Sequence, residues 1–165
     1  AAGGIPLRPG VERLLREARG AGLRLAIATT TTPANVEALI VNTLGAGAMD
    51  WFECIGAGDI VPAKKPAPDI YTWVLQQMTL EAADCVAFED SENGVRSAAA
   101  AGFDAVVVTV NAYTEAHDFG PRALVLEHLG EPGEAPGVRQ DITGGVAGAL
   151  DVAGLQAWFR ALPDA

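Results

Sequence analysis

Short apolar runs alternate with segments of helical periodicity along this chain. The apolar runs predict strands, and they lie at residues 23–32, 51–59, 85–90, 105–110 and 123–127. The run at 23–32 (LRLAIATTTT) is almost continuously apolar until four threonines end it, a pattern typical of a strand buried on both faces. The helical segments lie at residues 8–22, 33–45, 67–78, 91–102 and 152–162.

Proline and glycine support several of these helix boundaries. Pro9 and Pro33 stand near the starts of the first two helical segments, and Gly22 and Gly102 follow the ends of two others. Strands that alternate with helices predict an α/β fold with a parallel sheet, helices on both faces and one domain over residues 1–165. The Gly- and Pro-rich segment 130–148 predicts a flexible loop, for which the sequence indicates no function.

Composition narrows the classes of protein that the chain can belong to. The formal net charge of −10 argues against binding to nucleic acid, whose phosphates would be repelled. No apolar run approaches the roughly 20 residues that a membrane-spanning helix needs. The two cysteines fit a reducing cytoplasm better than a disulfide framework. His117 and His128 lie far apart in a polar stretch, so we expect surface positions and not metal ligands.

The ends of the predicted strands carry the polar residues of interest. Glu89 and Asp90 follow an apolar run directly, where repulsion and desolvation of two adjacent carboxylates are both costly. A hard dication such as Mg²⁺, which prefers oxygen ligands, would relieve both costs. Thr29 to Thr32 end another strand, and the Pro-rich loop that carries Lys64 and Lys65 precedes a helix. In parallel sheets such strand ends meet at one edge, where ligands bind.

Each of these features has a simpler structural explanation when it is taken alone. The threonines could cap a helix, the KKPAP loop could be a solvated turn, and the acid pair could favour a helix N-terminus. Their common position beside strand ends favours a joint role. Hydroxyls and backbone N–H groups, the Lys65 charge and a metal ion form a charge-stabilising set for phosphoryl transfer.

Three segments resemble motifs of the haloacid dehalogenase-like phosphatases. Thr29 after LAIA, then KKPAPDIY, then AFEDSENG occur in the family's order. Within that superfamily, ATTTTPANVEALI, AGDIVPAKKPAPDIY, AYTEAHDF and VLEHLGEP resemble the beta-phosphoglucomutase branch, and most of all the CbbY-type sugar-phosphate phosphatases. The resemblance covers roughly residues 5 to 132 and implies a Rossmann-like core.

The resemblance also implies roles for individual residues. Thr29 and Lys65 would hold the transferring phosphoryl group, Glu89 and Asp90 would hold Mg²⁺, and Thr30, Thr31 and Thr32 would line the substrate. The implied substrate is a sugar phosphate, xylulose 1,5-bisphosphate for CbbY-type proteins. The mutase branch usually carries Ser and Lys where Thr31 and Thr32 stand, so mutase activity is the weaker expectation.

One motif of that family is absent from the chain. The family's nucleophile is the first Asp of an Asp-x-Asp motif on the first, central strand, and no Asp-x-Asp occurs in these 165 residues. We therefore expect the nucleophile, that strand and the helical cap to lie upstream, and the chain alone to be inactive. The alternative is a non-catalytic phosphate- or metal-binding module. A receiver domain fits poorly, because its Asp would precede the Thr and Lys.

Overall fold

The computed structural model describes residues 7–164. Its helices are α1 Val11–Gly20, α2 Pro33–Leu44, α3 Asp69–Met78, α4 Glu92–Ala100 and α5 Val152–Ala161, with short 3-10 helices at Ala46–Trp51 and Ala82–Asp84. Its strands are β1 Ala26–Ala28, β2 Cys54–Gly56, β3 Val86–Glu89, β4 Ala105–Thr109, β5 Leu124–Leu126 and β6 Val138–Gln140. The five predicted helices and the five predicted strands are all present, although β1 and β2 are shorter than their apolar runs.

The strands form two sheets, both dominated by parallel pairing. Strands β1 and β2 pair in parallel, with Ala26 opposite Cys54. Strands β3, β4 and β5 pair in parallel in that order, and β6 joins the edge of β5 antiparallel. Among the described residues, no strand pairs with the second edge of β1 or of β3. The α/β class predicted from the sequence is confirmed.

Helices cover both faces of the four-stranded sheet. Strand β4 alternates between them: Val106 and Val108 pack with α3 and α4, whereas Ala105 and Val107 pack with α1 and α5. A third cluster places α2 against β1 and β2. This alternation follows from the two-residue period of side chains along a strand.

The prediction that the 23–32 run is buried on both faces is wrong in this structure. Ala26 is exposed, and Ile27 and Ala28 are only half-buried, whereas every residue of β5 is buried. Phe88 of β3 is likewise 42% exposed despite its apolar surroundings in sequence. The physical reason is that β1 and β3 each have a described neighbour on one side only, so fewer side chains cover them.

The Gly- and Pro-rich segment 130–148 contains a short strand and a hydrogen-bonded turn. It contains β6, which pairs with β5, and Pro136 is among the most completely buried side chains. The Asp141 carboxylate accepts hydrogen bonds from Thr143 N at 2.9 Å and from Val146 N at 2.8 Å. Most of the segment is loop, as predicted, but the short strand β6 and this side-chain-stabilised turn were not predicted from its composition. Its flexibility stays a prediction.

The longest helix that the structure describes, α2, has 12 residues. None of the helices within residues 7–164 combines the length and the apolar character needed to cross a membrane.

Candidate phosphate and metal site

Lys65 connects the ends of β1 and β3. Its Nζ atom lies 3.1 Å from the Ala28 carbonyl oxygen and 2.6 Å from Glu89 Oε2. The side chains of Lys65 and Glu89 are only 17% and 7% exposed, so the pair is largely shielded from water. An ammonium and a carboxylate that are removed from water stabilise each other, because either one left unpaired would carry a large desolvation cost.

Glu89 is held on its other sides by α3 and α4. The buried Tyr71 hydroxyl donates a hydrogen bond to Glu89 Oε2, the oxygen that Lys65 also contacts. Glu89 Oε1 faces the first turn of α4, where a Cβ atom on Gly94 would stand 1.8 Å away from it. Only glycine therefore fits at position 94 with Glu89 in this orientation.

Burial and the charge of Glu89 raise the pKa of the Tyr71 hydroxyl well above its ordinary value of 10.0. Tyr71 therefore stays protonated and acts as a hydrogen-bond donor throughout the working pH range.

The threonine turn lies immediately beyond the Lys65 contact on β1. Thr29 Oγ1 accepts a hydrogen bond from Thr31 N at 3.1 Å, and Thr29 N donates to the Gly56 carbonyl of β2. Thr32 is the N-cap of α2, because its hydroxyl accepts a hydrogen bond from Asn35 N at 3.3 Å. The helix-cap explanation is thus confirmed for Thr32. The Thr29 hydroxyl retains a proton to donate to a ligand.

Asp90 is the exposed member of the acid pair. It follows Glu89 at the end of β3 and precedes Ser91, whose side chain caps α4 by accepting from Gly94 N at 3.1 Å. The two carboxylates supply the oxygen donors that Mg²⁺ prefers, and the exposure of Asp90 leaves room for the waters that this ion keeps. Within residues 7–164, no three His, Cys, Asp or Glu side chains converge, so the two carboxylates would form only part of a ligand set for such an ion.

The structure thus brings four of the predicted site residues to one edge, namely Thr29, Lys65, Glu89 and Asp90. Lys64 lies apart from them, in an exposed contact with Asp59 at 3.3 Å. Tyr71 and Gly94 belong to this site but were not predicted from the sequence. Both lie inside the quoted segments KKPAPDIY and AFEDSENG, so their position in those motifs was the available signal.

The two histidines have local structural partners. His117 is exposed, and its Nδ1 accepts a hydrogen bond from Glu92 N at 3.1 Å. His128 is only half-buried and accepts from Gly130 N through Nδ1. The surface position expected for His117 is confirmed, whereas His128 belongs partly to the turn after β5.

The structure defines an α/β core with a polar candidate site at the strand ends, and comparison with known proteins identifies its family. A family model described as a haloacid dehalogenase-like hydrolase matches residues 1–102. The chain belongs to the haloacid dehalogenase-like hydrolase family, and its relatives place it on the CbbY-like branch.

Three relatives show how far the likeness extends. The plasmid CbbY protein of Cupriavidus necator is 49% identical over 159 residues, which are 96% of this chain and 61% of that protein. CbbY of Rhodobacter capsulatus is 55% identical over 72% of this chain and 52% of its own length. The crystal structure of a CbbY mutant from Rhodobacter sphaeroides with xylulose-(1,5)bisphosphate has a TM-score of 0.72 and 44% identity, covering 76% of this chain and 55% of that one. The chain therefore spans about half to three fifths of their length.

Proposed function

We propose that this chain forms the phosphate- and metal-binding part of a Mg²⁺-dependent phosphatase that acts on a sugar phosphate. The observation that carries the proposal is the position of Lys65, which is bonded to the end of β1 and to Glu89 of β3. This places a positive charge between the Thr29 turn and the Glu89–Asp90 pair. A fixed charge of this kind stabilises the negative charge on a transferring phosphoryl group.

The roles proposed for the individual residues follow from the hydrogen-bond donors and the oxygen ligands that their side chains carry. Lys65 has three N–H groups, and the described residues engage two of them, so the third can donate to a phosphoryl oxygen. The Thr29 hydroxyl donates a second hydrogen bond to the same group, and Thr30, Thr31 and Thr32 line the substrate. Glu89 and Asp90 hold Mg²⁺, which when bound neutralises part of the phosphate charge.

The proposal includes an aspartate nucleophile supplied by a further segment of the intact protein, which forms an aspartyl-phosphate intermediate. Support comes from the unpaired edges of β1 and β3 and from the exposure of Ala26 and Phe88. An extended apolar strand between β1 and β3 would complete one continuous sheet and cover these side chains. Its carboxyl end would then lie beside Lys65. The 165 residues without that strand are proposed to be inactive.

Two structures of a relative support the proposed substrate class. The Rhodobacter sphaeroides CbbY mutant was crystallised with xylulose-(1,5)bisphosphate, and another structure of that protein contains phosphate. We propose the same class of substrate for the intact form of this protein, with xylulose 1,5-bisphosphate as the first candidate.

The experiment compares the 165 residues alone with a fusion to the part of the Cupriavidus necator CbbY protein that lies outside the matched region. Phosphate release from xylulose 1,5-bisphosphate is measured with Mg²⁺ and with a chelator, and light scattering reports the state of association. We expect Mg²⁺-dependent hydrolysis and a monodisperse protein from the fusion alone. The bare chain should self-associate through the open edges of β1 and β3.

A bare chain that is a well-folded monomer and hydrolyses phosphate esters would contradict the proposal, because a nucleophile would then lie within the 165 residues. A well-folded fusion that binds phosphate but releases none from any ester would favour the binding-module alternative.

A further inference from the structure

Within the part of the chain that the structure describes, Tyr71 is the one uncharged side chain that contacts the buried Lys65–Glu89 pair through a hydrogen bond. Its hydroxyl donates to Glu89 Oε2, and its ring lies under Lys65, with Nζ 5.1 Å from the ring centroid. The ring is fixed in turn by Phe103, whose centroid is 5.0 Å away in an edge-on arrangement. Tyr71 therefore contacts both charged groups and is itself immobilised by packing.

This arrangement limits where the Glu89 carboxylate can lie. Oε2 accepts from Lys65 and Tyr71, while Oε1 lies against Gly94. A phosphoryl group that attracts the Lys65 ammonium weakens the hold of Lys65 on Glu89. The Tyr71 hydroxyl carries no charge to be drawn away, so its hydrogen bond persists when Lys65 shifts.

We propose that Tyr71 is a positioning residue that keeps the Glu89 carboxylate in place for the metal ion while Lys65 binds phosphate. The inference rests on the proposed function, in which Glu89 and Asp90 hold Mg²⁺. It assigns Tyr71 to metal affinity and not to substrate contact. Groups that orient metal ligands from behind commonly change metal affinity by about tenfold or more when they are removed.

The test uses the fusion protein and the variant Tyr71→Phe, which retains the ring and removes only the hydroxyl. The matched control is Tyr113→Phe, because Tyr113 is 91% exposed. Calorimetric titration with Mg²⁺, and with Mn²⁺ as a second probe, measures metal binding without substrate. Phosphate release then gives the Mg²⁺ concentration for half-maximal rate and the KM for the sugar phosphate at saturating Mg²⁺.

We expect Tyr71→Phe to weaken metal binding about tenfold, in both measurements, with KM unchanged at saturating Mg²⁺. Tyr113→Phe should match the unmodified fusion. Unchanged metal affinity in Tyr71→Phe overturns the inference, even if its thermal midpoint falls, because a purely structural role predicts only that fall. An unmodified fusion that binds no metal refutes the magnesium assignment itself, so the two failures are distinguishable.

Discussion

Gly94 lies so close to Glu89 that a Cβ atom on residue 94 would stand 1.8 Å from Glu89 Oε1. Glu89 is simultaneously held by Lys65 and by Tyr71 on its other oxygen. The carboxylate therefore cannot move away without losing a hydrogen bond in a largely buried environment. The absence of a side chain at position 94 is a requirement of the site and not of the helix, since Gly94 lies within α4 without a left-handed φ.

We accordingly expect Gly94→Ala to displace Glu89 and to lower the free energy of unfolding by about 1–3 kcal/mol, the usual cost of overpacking. Activity of the fusion should fall with it, because Lys65 loses its fixed partner. Urea denaturation and phosphate release measure the two effects. Gly20→Ala is the matched control: it adds a methyl group in α1 with nothing within 4 Å, so its stability should hold or rise. A tolerated Gly94→Ala would show that Glu89 has another acceptable orientation.

Lys65 and Lys64 are adjacent in sequence but differ in environment, which makes them a natural pair for comparison. Lys65→Ala should lower the hydrolysis rate about a hundredfold, which corresponds to about 3 kcal/mol for a fixed charge on a phosphoryl group. Lys64→Ala should have little effect, because the Lys64 side chain is exposed and forms an ion pair with the exposed Asp59, away from the site. Steady-state rates at saturating Mg²⁺ test the ranking. Equal losses, or a larger loss for Lys64→Ala, would refute the role proposed for Lys65.

Asp90→Ala should abolish Mg²⁺-dependent turnover while the fold survives. Removing one of two adjacent carboxylates relieves their repulsion, so the thermal midpoint without metal should hold or rise. Rates across a Mg²⁺ titration and a thermal melt in chelator provide the measurements. Asp59→Ala, at another exposed acid near the same loop, serves as the control and should retain activity. Full Mg²⁺-dependent turnover in Asp90→Ala would contradict the metal assignment.

The environment of Asp141, which lies outside the candidate site, predicts that the stability of the fold depends on pH. Burial alone would raise the pKa of this carboxyl, but hydrogen bonds from Thr143 and Val146 outweigh it and lower the pKa below the ordinary 3.8. Because folding lowers this pKa, the ionised Asp141 carboxylate stabilises the folded state. This contribution to the free energy of unfolding is complete above pH 3.8 and is lost as the pH falls through the folded-state pKa.

Asp141→Ala should therefore lower the free energy of unfolding by about 1–2 kcal/mol at pH 7, the scale of one or two hydrogen bonds. The difference in the free energy of unfolding between Asp141→Ala and the unmodified protein should shrink as the pH falls below 3.8. Denaturant melts at pH 7 and below pH 3.8 test both points. A difference that stays constant across this range would mean that the ionised carboxylate is not what the turn requires.

Apolar runs and helical periodicity sufficed to predict the five α-helices and five of the strands, because a strand buried on both faces is short and continuously apolar whereas a helix buries one stripe. Both faces of β4 are covered, with Val106 and Val108 on one and Ala105 and Val107 on the other, which is why its run is apolar throughout. The parallel pairing was also predictable, since strands that alternate with helices form parallel sheets, but the division into two sheets was not. Strand β6 was not predictable in this way, because a short edge strand within a Gly- and Pro-rich segment has no clear period.

The sequence by itself determined which residue types stand at the strand ends, since Thr29, Lys65, Glu89 and Asp90 each follow or precede an apolar element. Only the tertiary structure decided their partners. Lys65 is 24 residues from Glu89 and 37 from Ala28. Its contacts with both therefore depend on how α3 packs between the two sheets. The roles of Tyr71 and Gly94 could not be predicted for the same reason. The Tyr71 hydroxyl and the missing side chain at Gly94 matter only because the Glu89 carboxylate, which belongs to another element, lies against both of them.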